Sequence, residues 1–183
     1  MISGSDIEHL AQNVVAQIRE KCKVAIGFEC PLFVPVRKDP QDVNAARSGE
    51  SNRSWSAGAG TGDLATGLVE LLWVMNKVNE GLGHPPEIAV RWNDFLGSDA
   101  VFIWEPFVTS TAKGNDHRHD ARIAITHFLR SLPVPWSKNA IQESNVLSLL
   151  GAAALRAGWT KNVDILSEPC LVRKAVDDSS LRG

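Results

Sequence analysis

Apolar residues recur at the spacing of an α-helix in four stretches of the chain, and short apolar runs separate these stretches. The helical patterns cover residues 7–22, 62–80, 121–132 and 141–157. Shorter runs with the composition of strands lie at 23–29 and 100–105, with weaker ones at 87–92 and 170–174. Because helices and strands alternate, the pattern predicts a three-layer α/β domain with a largely parallel sheet.

Composition narrows the classes of function. With 183 residues, 44% of them hydrophobic, the chain can bury the core of one domain, which we expect at 1–176 before a disordered tail at 177–183. A formal net charge of −2 provides no overall positive field for nucleic acid. No apolar run approaches the roughly 18 residues of a membrane span, so no membrane partner is expected. Three cysteines without metal-type spacing or a signal peptide favour a cytoplasmic location.

The densest group of candidate functional residues lies at 115–121, directly before the third helical pattern, and contains Asp116, His117, His119 and Asp120. At a helix N-terminus, His117 and Asp120 would share one face, and their oxygen and imidazole ligands could hold a divalent cation. The alternative is a solvated helix start that Asp116 or His117 caps. Zinc bound by both histidines is less consistent, because side chains two apart on a helix point in different directions.

Two of the predicted strands end in a glutamate. Glu29 closes the run at 23–29 and Glu105 closes the run at 100–105, and a proline soon follows each of them. A buried carboxylate is costly unless it is paired, hydrogen-bonded or metal-bound. Ligands of open α/β sheets bind at the C-terminal ends of the strands. We therefore expect Glu29, Glu105 and Asp120 at one end of the sheet, as a carboxylate cluster for Mg²⁺ or Mn²⁺.

A polar, glycine-rich loop at 50–63 leads into the second helical pattern. Gly58 and Gly60 could bring backbone N–H groups onto a phosphate, with Arg53 beside it and Trp55 stacking on a base. This is not a P-loop, because no Lys-Ser or Lys-Thr pair follows the last glycine. In the structural alternative, the glycines only let the loop turn into the helix, and Trp55 covers the core. If nucleic acid binds, its phosphates should contact the basic residues after Glu29, namely Arg37, Lys38, Arg47 and Arg53.

Several short motifs together resemble an uncharacterised family of predicted nucleases with the ribonuclease H-like fold. They are VAIGFECPL at 24–32, NAAR at 44–47, WEP at 104–106 and HRHDARIAITH at 117–127. The last is also similar to the final helix of Holliday-junction resolvases, in which a His or Asp and an Asp three residues later bind metal. The resemblance implies a metal-dependent nuclease site in which Glu29 and Asp120 are the principal ligands and His117 an auxiliary one. Glu105 and Asp116 would support them.

The same family opens with a three-stranded meander whose first strand carries a catalytic Asp, whereas this chain opens with a helical pattern. The resemblance therefore implies a mixed sheet with truncated or missing N-terminal strands, and a nuclease that is weak or inactive as it stands. One alternative is a nucleotide- or phosphate-binding module that uses the loop at 58–62. Others are a non-catalytic domain that forms a homodimer through the uncovered strand, and an unrelated α/β protein without a metal site.

Overall fold

The computed structural model describes residues 6–50, 54–108 and 112–175. Its helices are α1 (Ile7–Arg19), α2 (Ala59–Leu82), α3 (Trp92–Gly97), α4 (His117–Leu129) and α5 (Leu149–Ala157). Its strands are β1 (Ala25–Gly27), β2 (Phe33–Pro35), β3 (Ile88–Ala89), β4 (Val101–Phe107), β5 (Val146–Ser148) and β6 (Val172–Lys174).

Strand β4 is the centre of the larger sheet. On one side β1 pairs with it in parallel, with Gly27 opposite Trp104. On the other side β3 pairs with its first residues and β6 with its last, both also in parallel. The N–H groups of Val101 and Glu105 donate to the carbonyls of the residues directly before β3 and β6. Because the N–H groups of alternate residues in a strand point to the same side, β3 and β6 follow one another along one side of β4. Among the described residues, β1 has β4 as its only partner strand.

A second, smaller sheet makes the strand arrangement mixed. β2 and β5 form an antiparallel two-stranded ribbon, in which Val34 lies opposite Leu147. Phe33 and Val146 of this ribbon are buried in the main core. The prediction of an α/β fold is therefore confirmed, with parallel pairing in the larger sheet and antiparallel pairing in the ribbon.

Apolar side chains cover both faces of the larger sheet. Along β4, Val101 and Ile103 belong to one core, while Phe102 and Trp104 belong to the other. The first core also contains residues of α1, α2 and α5, and the second contains residues of α3 and α4. Burial on both faces explains why the run at 100–105 lacks polar alternation. Helices thus lie on both sides of the sheet, in three layers.

The structure departs from the sequence-based prediction mainly at short elements. The predicted helix at 141–157 is wrong in its first part, because residues 146–148 form β5 and α5 begins at Leu149. The Ser148 side chain accepts a hydrogen bond from the Gly151 N–H at 3.0 Å and caps α5. Strand β4 does not end at Glu105, as predicted, but continues to Phe107. Helix α3 and strand β2 were not predicted.

No helix within the described residues is both long and apolar enough to cross a membrane. The tail predicted at 177–183 lies outside the described residues.

Candidate functional site

A cavity of about 450 Å³ lies where the chain leaves β1. Its wall is formed by the segment after β1, the end of β4, and the loop and first turn of α2. Four carboxylates and one guanidinium line it, namely Glu29, Glu50, Asp63, Glu105 and Arg47. Gly58, Gly60 and Trp55 line it as well. The two candidate sites of the sequence, the strand-end glutamates and the glycine-rich loop, therefore border one cavity.

Backbone contacts with β4 hold the segment that carries Glu29. The Phe28 N–H donates to the Trp104 carbonyl at 3.0 Å, which extends the β1–β4 pairing by one residue. The Cys30 N–H then donates to the Phe28 carbonyl at 2.8 Å, so the chain turns at Glu29. After the turn, the Leu32 N–H donates to a side-chain oxygen of Glu105 at 3.0 Å. Glu29 is thus attached to β4 on both sides.

Glu105 is part of a buried charge cluster with Arg47 and Glu50, each of them only 2% exposed. The Arg47 guanidinium donates to both oxygens of Glu105, at 2.6 and 2.8 Å, and to Glu50 at 2.8 Å. It also lies 4.9 Å from the centre of the Phe33 ring. Burial alone would lower the pKa of Arg47, but the charges and hydrogen bonds of Glu105 and Glu50 raise it. Glu105, predicted as a catalytic acid, therefore has both oxygens engaged within the protein.

Two arginines that the structure describes in the basic loop after Glu29 form ion pairs within the protein. Arg47 is buried in the cluster just described, and Arg37 forms a two-pronged ion pair with Glu143 at 2.8 and 3.1 Å. The pKa of Glu143 is lowered, because Arg37 and the Ser48 N–H outweigh the effect of burial. Arg47 also lines the cavity, and the expected contact of Arg37 and Arg47 with phosphates stays a prediction. Arg53, predicted to bind phosphate, lies outside the described residues.

Helix α2 begins at the cavity without a capping side chain. Gly58 is its N-cap residue, with φ of +56° and no side-chain hydrogen bond. A Cβ atom at Gly60 would lie 2.4 Å from the Ser54 carbonyl oxygen, so the loop and the helix can approach only because this residue is glycine. The first turn of α2 thus has backbone N–H groups that no capping side chain satisfies. Of the two predicted alternatives for these glycines, the structural one is present, and the first turn also borders the cavity.

Close packing brings a further acid, Asp63, to the cavity. A Cβ atom at Gly67 would lie 2.3 Å from the Cys30 Cβ, so α2 packs directly against the residue that follows Glu29. Asp63 precedes Gly67 by four residues and so lies on the same helix face, one turn nearer the cavity. Sequence reasoning missed it, because an acid next to a glycine-rich loop looks like a solvated residue. The spacing to Gly67 is the signal that could have indicated its position.

The electrostatic environment of Glu29 links it to two other acids. Desolvation raises the pKa of Glu29 above its ordinary value, and the negative charge of Asp120 raises it further. Lys113 and a hydrogen bond from the backbone of Val108 act in the opposite direction, while Asp63 adds to the rise. The charge of Asp120 therefore contributes to the environment of Glu29, although Asp120 does not line the cavity.

The start of α4 combines capping with one buried acid. Asp116 is the N-cap, accepting a hydrogen bond from the His119 N–H at 2.8 Å, and this bond is the main reason that its pKa is lowered. Asp120 is 4% exposed and accepts a hydrogen bond from the Gly114 N–H at 2.6 Å. The His119 ring accepts from the Asn115 N–H at 3.2 Å, whereas His117 is exposed. None of the predicted residues of α4 lies among the residues that line the cavity.

Cys30, the acidic side chains and Trp55 each bear on the chemistry of the site. Burial and the charges of Glu105, Glu70 and Asp63 raise the pKa of Cys30 to about 12, so this thiol is not a nucleophile at neutral pH. Within residues 6–50, 54–108 and 112–175, no group of three or more His, Cys, Asp or Glu side chains is arranged to hold a metal ion. Trp55 is half-buried, and its indole N–H donates to the Ala45 carbonyl at 3.0 Å, which fixes the ring at the cavity wall.

The sequence matches no protein-family model, and no match is found among curated proteins or solved structures. The ribonuclease H-like resemblance therefore stays a prediction.

Proposed function

We propose that the chain is a divalent-cation-dependent phosphodiesterase of the ribonuclease H-like type, with Glu29 and Asp120 as its principal acids. The observation that carries the proposal is the position of Glu29, a largely buried carboxylate on the wall of the cavity. Burial raises its pKa, and the negative charge of Asp120 adds to the rise. Two carboxylates that repel each other are stabilised by a cation between or beside them. The acids and the cavity support the proposal, and the exposed His117 is a candidate proton shuttle.

The donor set fits Mg²⁺ or Mn²⁺ better than zinc. The acidic side chains near the cavity offer carboxylate oxygens, which are the ligands that these hard cations prefer. Mg²⁺ commonly binds through one or two carboxylates together with water and substrate phosphates, so a site without three protein ligands is compatible with it. When bound, such a cation would polarise a phosphoryl oxygen or lower the pKa of a bound water. Glu29 and Asp120 would hold it, and the first turn of α2 would orient the phosphate with its backbone N–H groups.

The proposal is tested by Mn²⁺ binding, followed through the electron spin resonance signal of the free ion. We expect weak binding by the wild type, because the resemblance implies one further acid, and loss of that binding in Glu29→Gln and Asp120→Asn. Glu87→Gln is the matched control, since the Glu87 carbonyl accepts the Val101 N–H at the other end of β4. Equal binding by Glu29→Gln and the wild type would refute the proposal.

A nuclease assay on single- and double-stranded substrates with Mn²⁺ completes the test. We expect slow cleavage or none, for the same reason as the weak binding. Efficient cleavage that Asp120→Asn abolishes would show that the described acids suffice, and that the expected further carboxylate is not needed.

A second candidate function is a nucleotide- or phosphate-binding module that does not hydrolyse its ligand. It is favoured by the uncapped first turn of α2, which borders the cavity together with Trp55. In this case a nucleotide would raise the melting temperature even with a metal chelator present, because a ligand that binds only the folded state stabilises it. Trp55→Ala should remove the shift if the ring stacks on the base.

A further inference from the structure

The segment that carries Glu29 is hydrogen-bonded to two consecutive residues of β4. On one side, the Phe28 N–H is bonded to the backbone of Trp104. On the other side, the Leu32 N–H is bonded to the side chain of Glu105. The first attachment is ordinary strand pairing, but the second depends on one carboxylate. The Leu32 carbonyl accepts the Leu150 N–H at 2.9 Å, so α5 and the Glu105 side chain anchor Leu32 together. The position and reach of the Glu105 side chain set how closely the segment approaches β4 at this end.

Arg47 in turn fixes the orientation of that carboxylate. It holds both oxygens of Glu105 in a planar fork at 2.6 and 2.8 Å, and one of these oxygens is the acceptor of the Leu32 N–H. Glu50 holds Arg47 from the other side, through the Nε atom at 2.8 Å and the backbone N–H at 2.7 Å. Each member of this chain of contacts is almost completely buried. Its geometry is consequently set by the protein and not by solvent.

We propose that the Arg47–Glu105 ion pair is a positioning device, which sets where the Glu29 carboxylate lies relative to the cavity. Glu105 contacts no ligand in this role and acts through the backbone of Leu32. The value of that position for cation binding rests on the proposed function above. A buried ion pair is weak evidence for stability, since apolar residues of similar volume often serve as well or better. Specifying a geometry is a role that apolar residues could not fill here, because they cannot accept the Leu32 N–H.

The chain contains a matched ion pair that lacks this role. Arg37 holds both oxygens of Glu143, and one of them accepts the Ser48 N–H at 2.7 Å. The chemistry is the same as in the Arg47–Glu105 pair, namely a forked guanidinium, a carboxylate and one backbone donor. Arg37 also donates to the Ala46 carbonyl at 3.0 Å, so this pair supports the backbone on either side of Arg47 but has no bond to the segment from Phe28 to Leu32. Shortening Glu143 is therefore the control for shortening Glu105.

The experiment compares three variants. Glu105→Asp keeps the charge and shortens the side chain, whereas Glu105→Gln keeps the length and one hydrogen-bond acceptor. Glu143→Asp is the control. Two quantities are measured at a temperature at which circular dichroism shows each variant to be folded. One is the Mn²⁺ affinity. The other is the rate at which a carbodiimide and an amine label Glu29, read by mass spectrometry in the absence of metal. We expect Glu105→Asp to lower the Mn²⁺ affinity roughly tenfold or more, as the loss of an outer-shell partner does in metal sites.

The same variant should change the labelling rate of Glu29. Glu143→Asp acts on Arg47 only through the neighbouring backbone, so it should change both quantities less than Glu105→Asp does. Glu105→Gln keeps the reach and one acceptor but loses the second oxygen that receives the fork, so it should lie between Glu105→Asp and the wild type. Equal effects of Glu105→Asp and Glu143→Asp, or a Glu105→Gln variant no better than Glu105→Asp, would overturn the proposal. If Glu105→Asp is unfolded, Arg47→Lys, which keeps the cation and loses the fork, replaces it with the same expected losses.

The two proposals fail separately. If the wild type does not bind Mn²⁺, the proposed function is wrong, and the labelling rates of Glu29 alone decide whether the ion pair positions it. If the wild type binds Mn²⁺ through Glu29 and Glu105→Asp binds it equally well, the proposed function stands and the positioning role is wrong.

Discussion

Replacing Arg47 by methionine tests the energetics of the buried charge cluster most directly. The change removes one guanidinium from between Glu105 and Glu50, whose side chains are only 2% and 1% exposed. Four side-chain hydrogen bonds are lost, to Glu50, to the Phe33 carbonyl and to both oxygens of Glu105. The aliphatic volume is largely kept, so the loss reports on charge and hydrogen bonding more than on packing.

The magnitude follows from leaving the two buried carboxylates without a cation between them. Removing one partner of a buried ion pair costs roughly 3–5 kcal/mol, because the remaining charge stays buried and uncompensated. We therefore expect Arg47→Met to lose about 4 kcal/mol at pH 7, a large share of the roughly 5–15 kcal/mol of a domain.

The assay is urea unfolding at pH 7. Arg91→Met is the control, because its pair with Glu168 is exposed (63% and 31%) and should contribute less than about 1 kcal/mol. A loss for Arg47→Met no larger than that of the control would refute the reasoning.

Four further predictions concern single positions. Glu29→Gln should raise the free energy of unfolding in urea at neutral pH, because the raised pKa of the glutamate makes its charged form unfavourable in the folded state. This gain should fade as pH falls towards 4.5, and a lower free energy of unfolding at pH 7 would contradict the prediction. Gly67→Ala should lose about 1–3 kcal/mol through its 2.3 Å contact with the Cys30 Cβ, whereas Gly62→Ala, with nothing within 4 Å, should gain up to about 1 kcal/mol. Asp116→Ala should lower the melting temperature, because α4 loses the hydrogen bond of its N-cap; an unchanged melting temperature would contradict the capping role. Light scattering should show a homodimer, since the edge of β1 carries neither charge nor proline, and Ala25→Lys at this exposed position should disrupt the dimer. A wild-type monomer at high concentration would rule the dimer out.

The long elements could be predicted because their signal is repeated many times. Helix α2 shows apolar residues at helical spacing from Leu64 onward, and β4 begins with four consecutive apolar residues, as expected for a strand buried on both faces. The strand β5 was missed because Val146 fits the helical spacing of α5, and the capping role of Ser148 was overlooked. Short elements such as β2 and α3 contain too few residues for any period to be seen.

The site was predictable only in part. Glu29 is conspicuous as an acid at a strand end, and it lines the cavity. Asp120 is equally conspicuous as an acid at a helix start, but it does not line the cavity. Glu105 looks the same in the sequence, and its partner Arg47 is distant along the chain, so only the fold reveals that its oxygens are engaged. Asp63 was missed for the opposite reason, since nothing local to it is unusual.

The tandem arrangement of β3 and β6 along one side of β4 has a consequence for the order of folding. As the chain leaves the ribosome, β1 and β3 can pair with β4 as soon as residue 107 has emerged, whereas β6 becomes available only after α4 and α5 have been made. The half of β4 that contains Glu105 and Phe107 therefore waits for a partner strand that is synthesised near the end of the chain. We expect the cavity end of the sheet to be the last part to acquire its backbone bonds during synthesis, and its amides to exchange with solvent before those near Val101.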